Sequence, residues 1–279
     1  MRFKPGKLPL TVVMITLNEG HNLRECINQF NGWASEICIL DSYSSDDTEN
    51  IAKEFGVRLI KRKFTYFGDQ WNYALKAFKI KNKYTMKIDP DERLTQELKD
   101  NIEKAITINS EIKGFILTRV LCFLGKKLPI RQDILRIWKT GDVKFSDVLV
   151  NEHPIINGGT KHIGGELLHI DSPNLEHWYD KQNKYTSSEA KSKFLNNKLS
   201  FNPRLFGNTD ERRMWFKKHF SQIPFRFLLL FFYYYFFKGL FKFGKEGYIW
   251  TQMRIQVMRM REFKYFEIKK SKNAKKVDL

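Results

Sequence analysis

The sequence predicts an α/β protein, a mostly parallel sheet flanked by helices, followed by a basic and aromatic helical segment of different character. Three observations predict it. Short apolar runs rich in β-branched residues alternate with stretches of helical spacing as far as Asp89. Each run ends on a polar or acidic residue. Beyond Phe201 the composition shifts, with 18 Lys+Arg against 6 Asp+Glu, whereas the first 200 residues hold 31 against 25.

The elements follow in order. Thr11 to Leu17 is a continuous apolar run, the pattern of a strand buried on both faces. Glu19 to Asn31 places Leu23, Ile27 and Phe30 at helical spacing. Ile37 to Leu40 is a second buried strand ending at Asp41. Ser44, Ser45 and Asp46 offer N-caps for a helix carrying Ile51, Ala52 and Phe55, closed by Gly56. Val57 to Ile60 is a third strand. Asp69 to Phe78 is a helix with Trp71, Leu75 and Phe78 on one face, and Tyr84 to Ile88 is a fourth strand ending at Asp89. Further on, Leu94 to Ile108 and Leu175 to Leu195 read as helices. Phe115 to Leu121 and Ile134 to Trp138 read as strands, mixed with loops through Gly164-Gly165.

With 42% hydrophobic and 15% aromatic residues in 279, the chain can bury a sizeable core, which excludes general disorder. Cys26, Cys38 and Cys122 lack paired spacing, which argues against a disulfide framework or a zinc site and fits a reducing compartment. Arg2, Lys4 and Lys7 precede the first apolar run, but it leads straight into Asn18-Glu19 without a small-residue cleavage site. It reads as the first strand of a cytoplasmic protein. The net charge of +18 fits nucleic acid or an anionic membrane. Phe227 to Phe237 is far more apolar than a nucleic-acid patch needs, so no nucleic-acid partner is expected.

In a parallel sheet with crossover helices, ligands sit at the carboxyl ends of the strands. Asn18-Glu19, Asp41 and Asp89-Pro90-Asp91 are therefore expected to converge on one crevice. Two carboxylates one residue apart on extended backbone can approach one Mg²⁺ or Mn²⁺ ion, which could bridge the phosphates of a nucleotide sugar. Gly158-Gly159-Thr160-Lys161 lacks the spacing of a phosphate-binding P-loop.

Four segments in this order, Thr11 to Glu19, Ile39 to Thr48, Gln70 to Leu75 and Asp89-Pro90-Asp91-Glu92, resemble the motifs of family 2 inverting glycosyltransferases of the GT-A fold. They are most similar to the lipopolysaccharide-core β-1,4-glucosyltransferase group. Arg136-Ile137-Trp138, Val150-Asn151-Glu152-His153 and Lys181 to Tyr185 approximate that group's later patterns. The group more often has a small residue at Pro90 and His-Glu where this chain has Asn151-Glu152.

The resemblance implies a metal-dependent transfer of one sugar from a nucleoside diphosphate sugar, with a UDP-sugar as donor, to a lipid-linked, lipopolysaccharide or surface-polysaccharide acceptor. Asp41 would accept hydrogen bonds from the base, the Thr16 to Glu19 loop (Thr16, Asn18, Glu19) would frame base and ribose, and Gln70 and Asn72, on one helix face, would support the donor side with Asp89. Asp91 and Asp89, joined by His169, would hold the metal. Inversion needs a general base; among Asp133, Glu152, Glu166 and Asp171 the resemblance favours Glu152, with Asp133 next. His177 could approach the metal or phosphates, and Lys181 with Tyr185 could bind phosphate or form a solvated face. The rivals are a metal-dependent nucleotidyltransferase, which would normally show a glycine-rich loop near the first strand, and a non-enzymatic basic peripheral membrane protein, which would not need acids at three strand ends.

The expected domain plan is a catalytic domain over 1–200, divided into a nucleotide-sugar half (1–95) and an acceptor half (96–200), then a helical membrane-associating region over 201–268 and a solvated basic tail over 269–279. Phe225 to Phe243, with Arg226, Lys238 and Lys242, and the downstream Ile249, Met253, Val257 and Met260, form a basic amphipathic pattern suited to an anionic membrane surface. The apolar run is too short to span a bilayer. Peripheral attachment to the inner face of the cytoplasmic membrane is expected. The aromatic run could instead pack on the catalytic domain or in a homo-oligomer.

Overall fold

The structure, a computed structural model, describes residues 2–108, 111–148, 152–195 and 201–277. The chain divides into two compact units. The first comprises Met1–Cys122, Ile130–Asp147 and His153–Asp171; the second comprises Phe123–Pro129, Val148–Glu152 and Ser172–Leu279.

The first unit begins as the pattern expects: β1 (Leu8–Thr16), α1 (Gly20–Asn28), β2 (Ala34–Asp41), α2 (Thr48–Phe55), β3 (Arg58–Lys61), α3 (Phe67–Ala77) and β4 (Tyr84–Lys87). It continues through β5 (Glu92–Leu94), α4 (Gln96–Thr107), β6 (Gly114–Phe123), β7 (Lys126–Lys139), β8 (Val143–Phe145), β9 (Pro154–Ile156) and β10 (Thr160–Ile170). Eight strands form one sheet in the order β3-β2-β1-β4-β7-β6-β10-β5, and β8 pairs with β9. The β3, β2, β1 and β4 pairings are parallel, as is β6 with β10; β7 runs antiparallel to β4, and β5 antiparallel to β10.

Successive side chains of a strand point to opposite faces, and β1 uses both. Leu10, Val12 and Met14 join a core with Leu23 and Ile27 of α1, Ile51 and Phe55 of α2, and Leu98 and Ile102 of α4. Val13 joins a second core with Trp71 and Ala74 of α3, and with Trp138 and Phe145. The sheet is thus covered on both faces, which is why its strands read as continuous apolar runs. Gly56 ends α2 in the left-handed conformation at φ 65°, as expected. The start of α2 differs: Asp47 stands at the cap position without a side-chain bond to the helix backbone, and Asp46 accepts from the Thr48 amide at 3.0 Å. All three cysteines are free thiols, and burial pushes those of Cys26 and Cys38 up to about 12.

The second unit is helical: α5 (Leu175–Phe194), α6 (Thr209–His219), α7 (Arg226–Phe232) running into a π-helical turn over Tyr233–Phe237, a 3-10 turn over Leu240–Phe243, and α8 (Gly244–Val277). Lys264 of α8 clamps α5, donating to the Asn183 carbonyl at 2.6 Å and to the hydroxyls of Thr186 and Ser187 at 2.9 and 2.8 Å. The division differs from the expected plan in three places. The boundary anticipated at residue 200 falls inside this unit, because α5 packs along α8. The stretch from Lys269 continues α8 to Val277. The downstream apolar stripe is turned inward, with Met253 and Val257 only 3% and 4% exposed, because α5 and α7 pack along α8. Among the described residues no single helix is long and apolar enough to cross a membrane; Arg226–Phe237 and Leu240–Ser271 pass that test only as a pair bent by 66°.

Candidate active site

The strand register brings the predicted loops together. Thr16 pairs with Asp41 at the carboxyl ends of β1 and β2, and the Ile88 amide, just past β4, donates to Val13. Asp41 is fully buried. Its Oδ1 accepts from the Thr16 hydroxyl at 2.9 Å and its Oδ2 from the Ser44 amide at 2.8 Å. The two loops then interlock. Asn18, at φ 56°, receives the Ser45 amide on its Oδ1 at 2.8 Å and donates its own amide to Ser44 Oγ at 2.8 Å. The Glu19 amide donates to Thr48 Oγ1 at 2.9 Å, and the Gly20 amide to Asp46 at 2.9 Å. Thr16, Asn18, Glu19 and Asp41 therefore form one rigid patch at the sheet edge.

Gln70 and Asn72 do not share a helix face. Residues two apart on a helix point in nearly opposite directions. Gln70 is buried, takes Arg62 on its Oε1 at 2.9 Å and donates to Ser42 Oγ at 3.0 Å, bracing the strand-end loops. Asn72 makes a two-way bond with the Phe145 backbone, at 3.0 and 2.8 Å, and ties α3 to β8.

The Asp89-Pro90-Asp91 segment is a turn rather than extended backbone. The Glu92 amide donates to the Asp89 carbonyl at 2.9 Å, the i to i+3 bond of a β-turn with proline at its second position. The turn sends the acids to different partners. Asp89 Oδ2 accepts from Arg136 of β7 at 2.9 Å. Glu92, fully buried, also binds Arg136 and takes the Asp89 amide on Oε2 at 3.0 Å. Burial works against the Asp89 carboxylate, but Arg136, Lys87 and Arg119 outweigh it and hold Asp89 well below the usual carboxylate range. For Glu92, burial with Asp89 and Asp91 nearby prevails over Arg136 and Arg119 and raises its pKa.

Asp91, 6% exposed, finds its partners on β10. The antiparallel β5–β10 pairing sets His169 opposite Glu92, and the Ile170 amide donates to the Asp91 carbonyl at 2.8 Å. His169 Nε2 lies 3.3 Å from Asp91 Oδ2 and 3.9 Å from Asp171 Oδ1. One ligand atom from each of Asp91, His169 and Asp171 lies within 4.8 Å of the others, a group able to hold a metal ion. Burial opposes the charged imidazole, yet Asp91 and Asp171 prevail and raise its pKa. A bulge aims this strand. The β10–β6 register shifts between Ile163 and Glu166, where Gly165 adopts φ 98° and a Cβ would sit 2.6 Å from Leu98 Cα. Gln29, at the end of α1, braces β5 from its open side through the Glu92 carbonyl (3.0 Å) and the Leu94 amide (2.8 Å).

The group able to hold a metal is thus Asp91, His169 and Asp171, and Asp89 of the expected set turns to Arg136 instead. Residues 169 and 171 lie two apart at a strand end and share a face, a signal already present in the sequence. Arg136 as the partner of Asp89 and Glu92 was missed. Of the other candidates, Asp133 is exposed on β7, receiving Thr118 Oγ1 at 2.7 Å with His162 Nε2 at 3.2 Å. Glu166 pairs with Arg131 at 2.7 Å. Glu152 is half-buried and belongs to the second unit; the preceding 149–151, including Val150 and Asn151 of the expected motif, lie outside the described residues. Lys181 and Tyr185 lie on α5, and His177, in its first turn, has Nδ1 3.1 Å from Ser172 Oγ.

A mostly parallel sheet with loops interlocked at its carboxyl edge, and a two-acid, one-histidine group beside them, is GT-A-like. Residues 11–139 match the family model "Glycosyl transferase family 2". Over that stretch the chain is similar to the family, and it is a glycosyltransferase. It is 25% identical over 227 residues to an uncharacterized glycosyltransferase of Rickettsia typhi, covering 76% of each chain. It is 26% identical over 200 residues to the lipopolysaccharide core biosynthesis glycosyltransferase LpsC of Rhizobium meliloti, covering 66% of this chain and 71% of that one. The mannosyltransferase PcManGT from Pyrobaculum calidifontis, solved with GDP-Man and Mn²⁺, shares the fold at a TM-score of 0.50 and 11% identity, over 95% of this chain and 88% of that one. Its glycosyltransferase class sets aside the nucleotidyltransferase and non-enzymatic readings.

Proposed function

We propose that this glycosyltransferase moves one hexose-type sugar, with inversion, from a nucleoside diphosphate sugar to a lipid-linked or lipopolysaccharide acceptor, using a divalent metal at Asp91, His169 and Asp171. The observation that carries this is the convergence of those three side chains at the end of the sheet that also holds the Thr16–Asp41 patch. The likeness to LpsC supports an acceptor of the lipopolysaccharide class, and the PcManGT complex supports a nucleotide sugar with Mn²⁺.

The donor set fits the metal. Two carboxylates suit a small hard dication, and one imidazole favours Mn²⁺ over Mg²⁺. A bound dication would supply positive charge to the leaving diphosphate. To ligate, His169 must present an unprotonated Nε2, which Asp91 and Asp171 work against, because despite burial they raise its pKa. Arg136 fixes Asp89 beside this group, and the Thr16 to Glu19 and Asp41 to Thr48 loops receive the nucleoside.

The acceptor hydroxyl requires a base on the face opposite the leaving group. Glu152 is favoured over Asp133, because hydrogen bonds from Thr118 and His162 hold Asp133 below its ordinary range and weaken it as a base. The test is sugar-nucleotide hydrolysis and transfer across a panel of uridine and guanosine donors, with and without Mn²⁺. Metal-dependent turnover with one donor class is expected. Glu152→Gln should then keep donor binding and lose transfer. Activity indifferent to metal would overturn the assignment, and an inactive Asp133→Asn beside an active Glu152→Gln would move the base to Asp133.

A further inference from the structure

Helix α7 and its π-helical continuation are apolar on every side, and the second unit covers only one of them. Toward α8, Phe231 and Tyr235 meet the Tyr248 ring at 6.4 and 6.0 Å, and Tyr234 meets Trp250 at 5.3 Å. Arg226 pairs with Glu262 at 2.6 Å and fixes the start of the helix on α8. At the far end, Gly239 turns the chain at φ 76°, and α8 approaches so closely that a Cβ on Gly247 would lie 2.0 Å from the Leu240 carbonyl oxygen. The segment is therefore held in one orientation.

The opposite side of the same helix is a second apolar stripe. Leu228, Leu229, Phe232, Tyr233, Phe236 and Phe237 recur at spacings of three and four, and every one is exposed, Phe237 by 85%. An exposed apolar stripe of this size on a helix already packed along its other side marks an interaction surface. Its rim is cationic. Lys238 sits over the Tyr233 ring at 5.7 Å and Lys242 over Phe241 at 5.8 Å, both exposed, within a stretch of 18 basic and 6 acidic residues.

We propose that residues 225–241 insert as a wedge into one leaflet of an anionic lipid bilayer, with α7 lying in the headgroup plane and Lys238 and Lys242 reaching lipid phosphates. Phenylalanine and leucine beneath an aromatic and lysine rim is the composition of an interfacial helix. Arg226–Phe237 spans about 18 Å at 1.5 Å per residue, short of the ~30 Å hydrocarbon core. Crossing by way of α8 would carry Arg254, Arg259, Arg261 and Lys264 into hydrocarbon, at several kcal/mol in all, while the apolar stripe of α8 is already used inside the protein. A second copy of the chain suits the surface less well, since Lys238 and Lys242 would meet their own twins on a protein of net charge +18. The proposal stands apart from the catalytic assignment and can fail without it.

The test is vesicle sedimentation of the full chain without sugar nucleotide. Wild type should bind phosphatidylcholine–phosphatidylglycerol vesicles well and pure phosphatidylcholine weakly. The L229E/F236E variant should lose more than about a hundredfold in partitioning, and Phe237→Ser about tenfold. K238Q/K242Q should lose about 25-fold on anionic vesicles alone, the effect of two surface charges. Unchanged circular dichroism and unchanged sugar-nucleotide hydrolysis in solution establish that each variant is folded. Equal vesicle binding by wild type and L229E/F236E would overturn the proposal. So would a wild-type dimer in light scattering that this variant converts to monomer while neither form binds vesicles.

Discussion

The two halves of the sheet hold their site residues by different means. In the β1–β4 half, Thr16, Asn18, Glu19 and Asp41 are tied by hydrogen bonds between two loops that begin at adjacent parallel strands. In the β5–β10 half, charges are brought together by antiparallel pairing across long stretches of chain: Arg136 with Asp89 and Glu92, and His169 with Asp91. The first arrangement spreads its energy over many hydrogen bonds from hydroxyls and backbone amides. The second concentrates it in a few buried charges, where removing one partner leaves another uncompensated. Mutations should therefore divide the halves by magnitude.

The largest effect is expected at Arg136, which is 4% exposed and binds both Asp89 and the fully buried Glu92. Arg136→Met should lower unfolding stability by about 3–5 kcal/mol, read by urea denaturation. The double variant Arg136→Met/Glu92→Gln should recover a large part of that loss, because the fully buried Glu92 is then no longer a charge without its partner. A loss below ~1 kcal/mol for the single variant would erase the contrast between the halves.

Next comes Asp91→Asn, where the loss should be in turnover. A decrease of about 10²–10³-fold is expected if the metal charge at the leaving diphosphate depends on this carboxylate. Mn²⁺ at a hundred times its dissociation constant should stabilise the wild type by about 2.7 kcal/mol and the variant far less. The pairing of these two readouts matters, since a purely structural Asp91 would alter stability without altering its metal dependence.

The same contrast explains what the sequence disclosed. β1 and β2 were legible because each is buried on both faces over most of its length and writes an apolar run. Their acidic ends were legible because a parallel sheet has one ligand edge. The partners of those acids were not. Nothing local in Arg136-Ile137-Trp138 states that β7 lies antiparallel to β4, and Pro90 converts an apparent extended pair of acids into a turn that separates them. Gln70 and Asn72 were placed on one face although their spacing is that of a strand, not a helix. The stripe on α8 showed the right period but not its cover, because an apolar face looks the same whether it meets lipid or α5.

Gly165 should give an intermediate effect. Its φ of 98° and the 2.6 Å approach to Leu98 Cα leave no space for a methyl group without backbone movement. Gly165→Ala should cost about 1–3 kcal/mol. Because the bulge sets the register of β10, it should also weaken Mn²⁺ binding in calorimetry by displacing His169 and Asp171. Lost stability with unchanged Mn²⁺ affinity would show that the bulge packs the strand on α4 without aiming it.

The smallest effect is expected at Thr16. Its hydroxyl donates to Asp41 Oδ1 at 2.9 Å, but Ser44 supplies two further bonds to the same carboxylate, an amide at 2.8 Å and a hydroxyl at 2.5 Å. Thr16→Val keeps the shape of the 3%-exposed side chain and removes one donor of three. The loss should be about 1–2 kcal/mol, a third of that at Arg136. The role of Asp41 can be read in the same variant. If Asp41 reads the nucleoside base, loosening it should weaken nucleotide binding severalfold while leaving Mn²⁺ affinity untouched, the reverse of Gly165→Ala. Calorimetric titration of nucleoside diphosphate and of Mn²⁺ into both variants separates the two edges of the site. Equal losses of nucleotide and metal in Thr16→Val would mean that the two halves act as one coupled network.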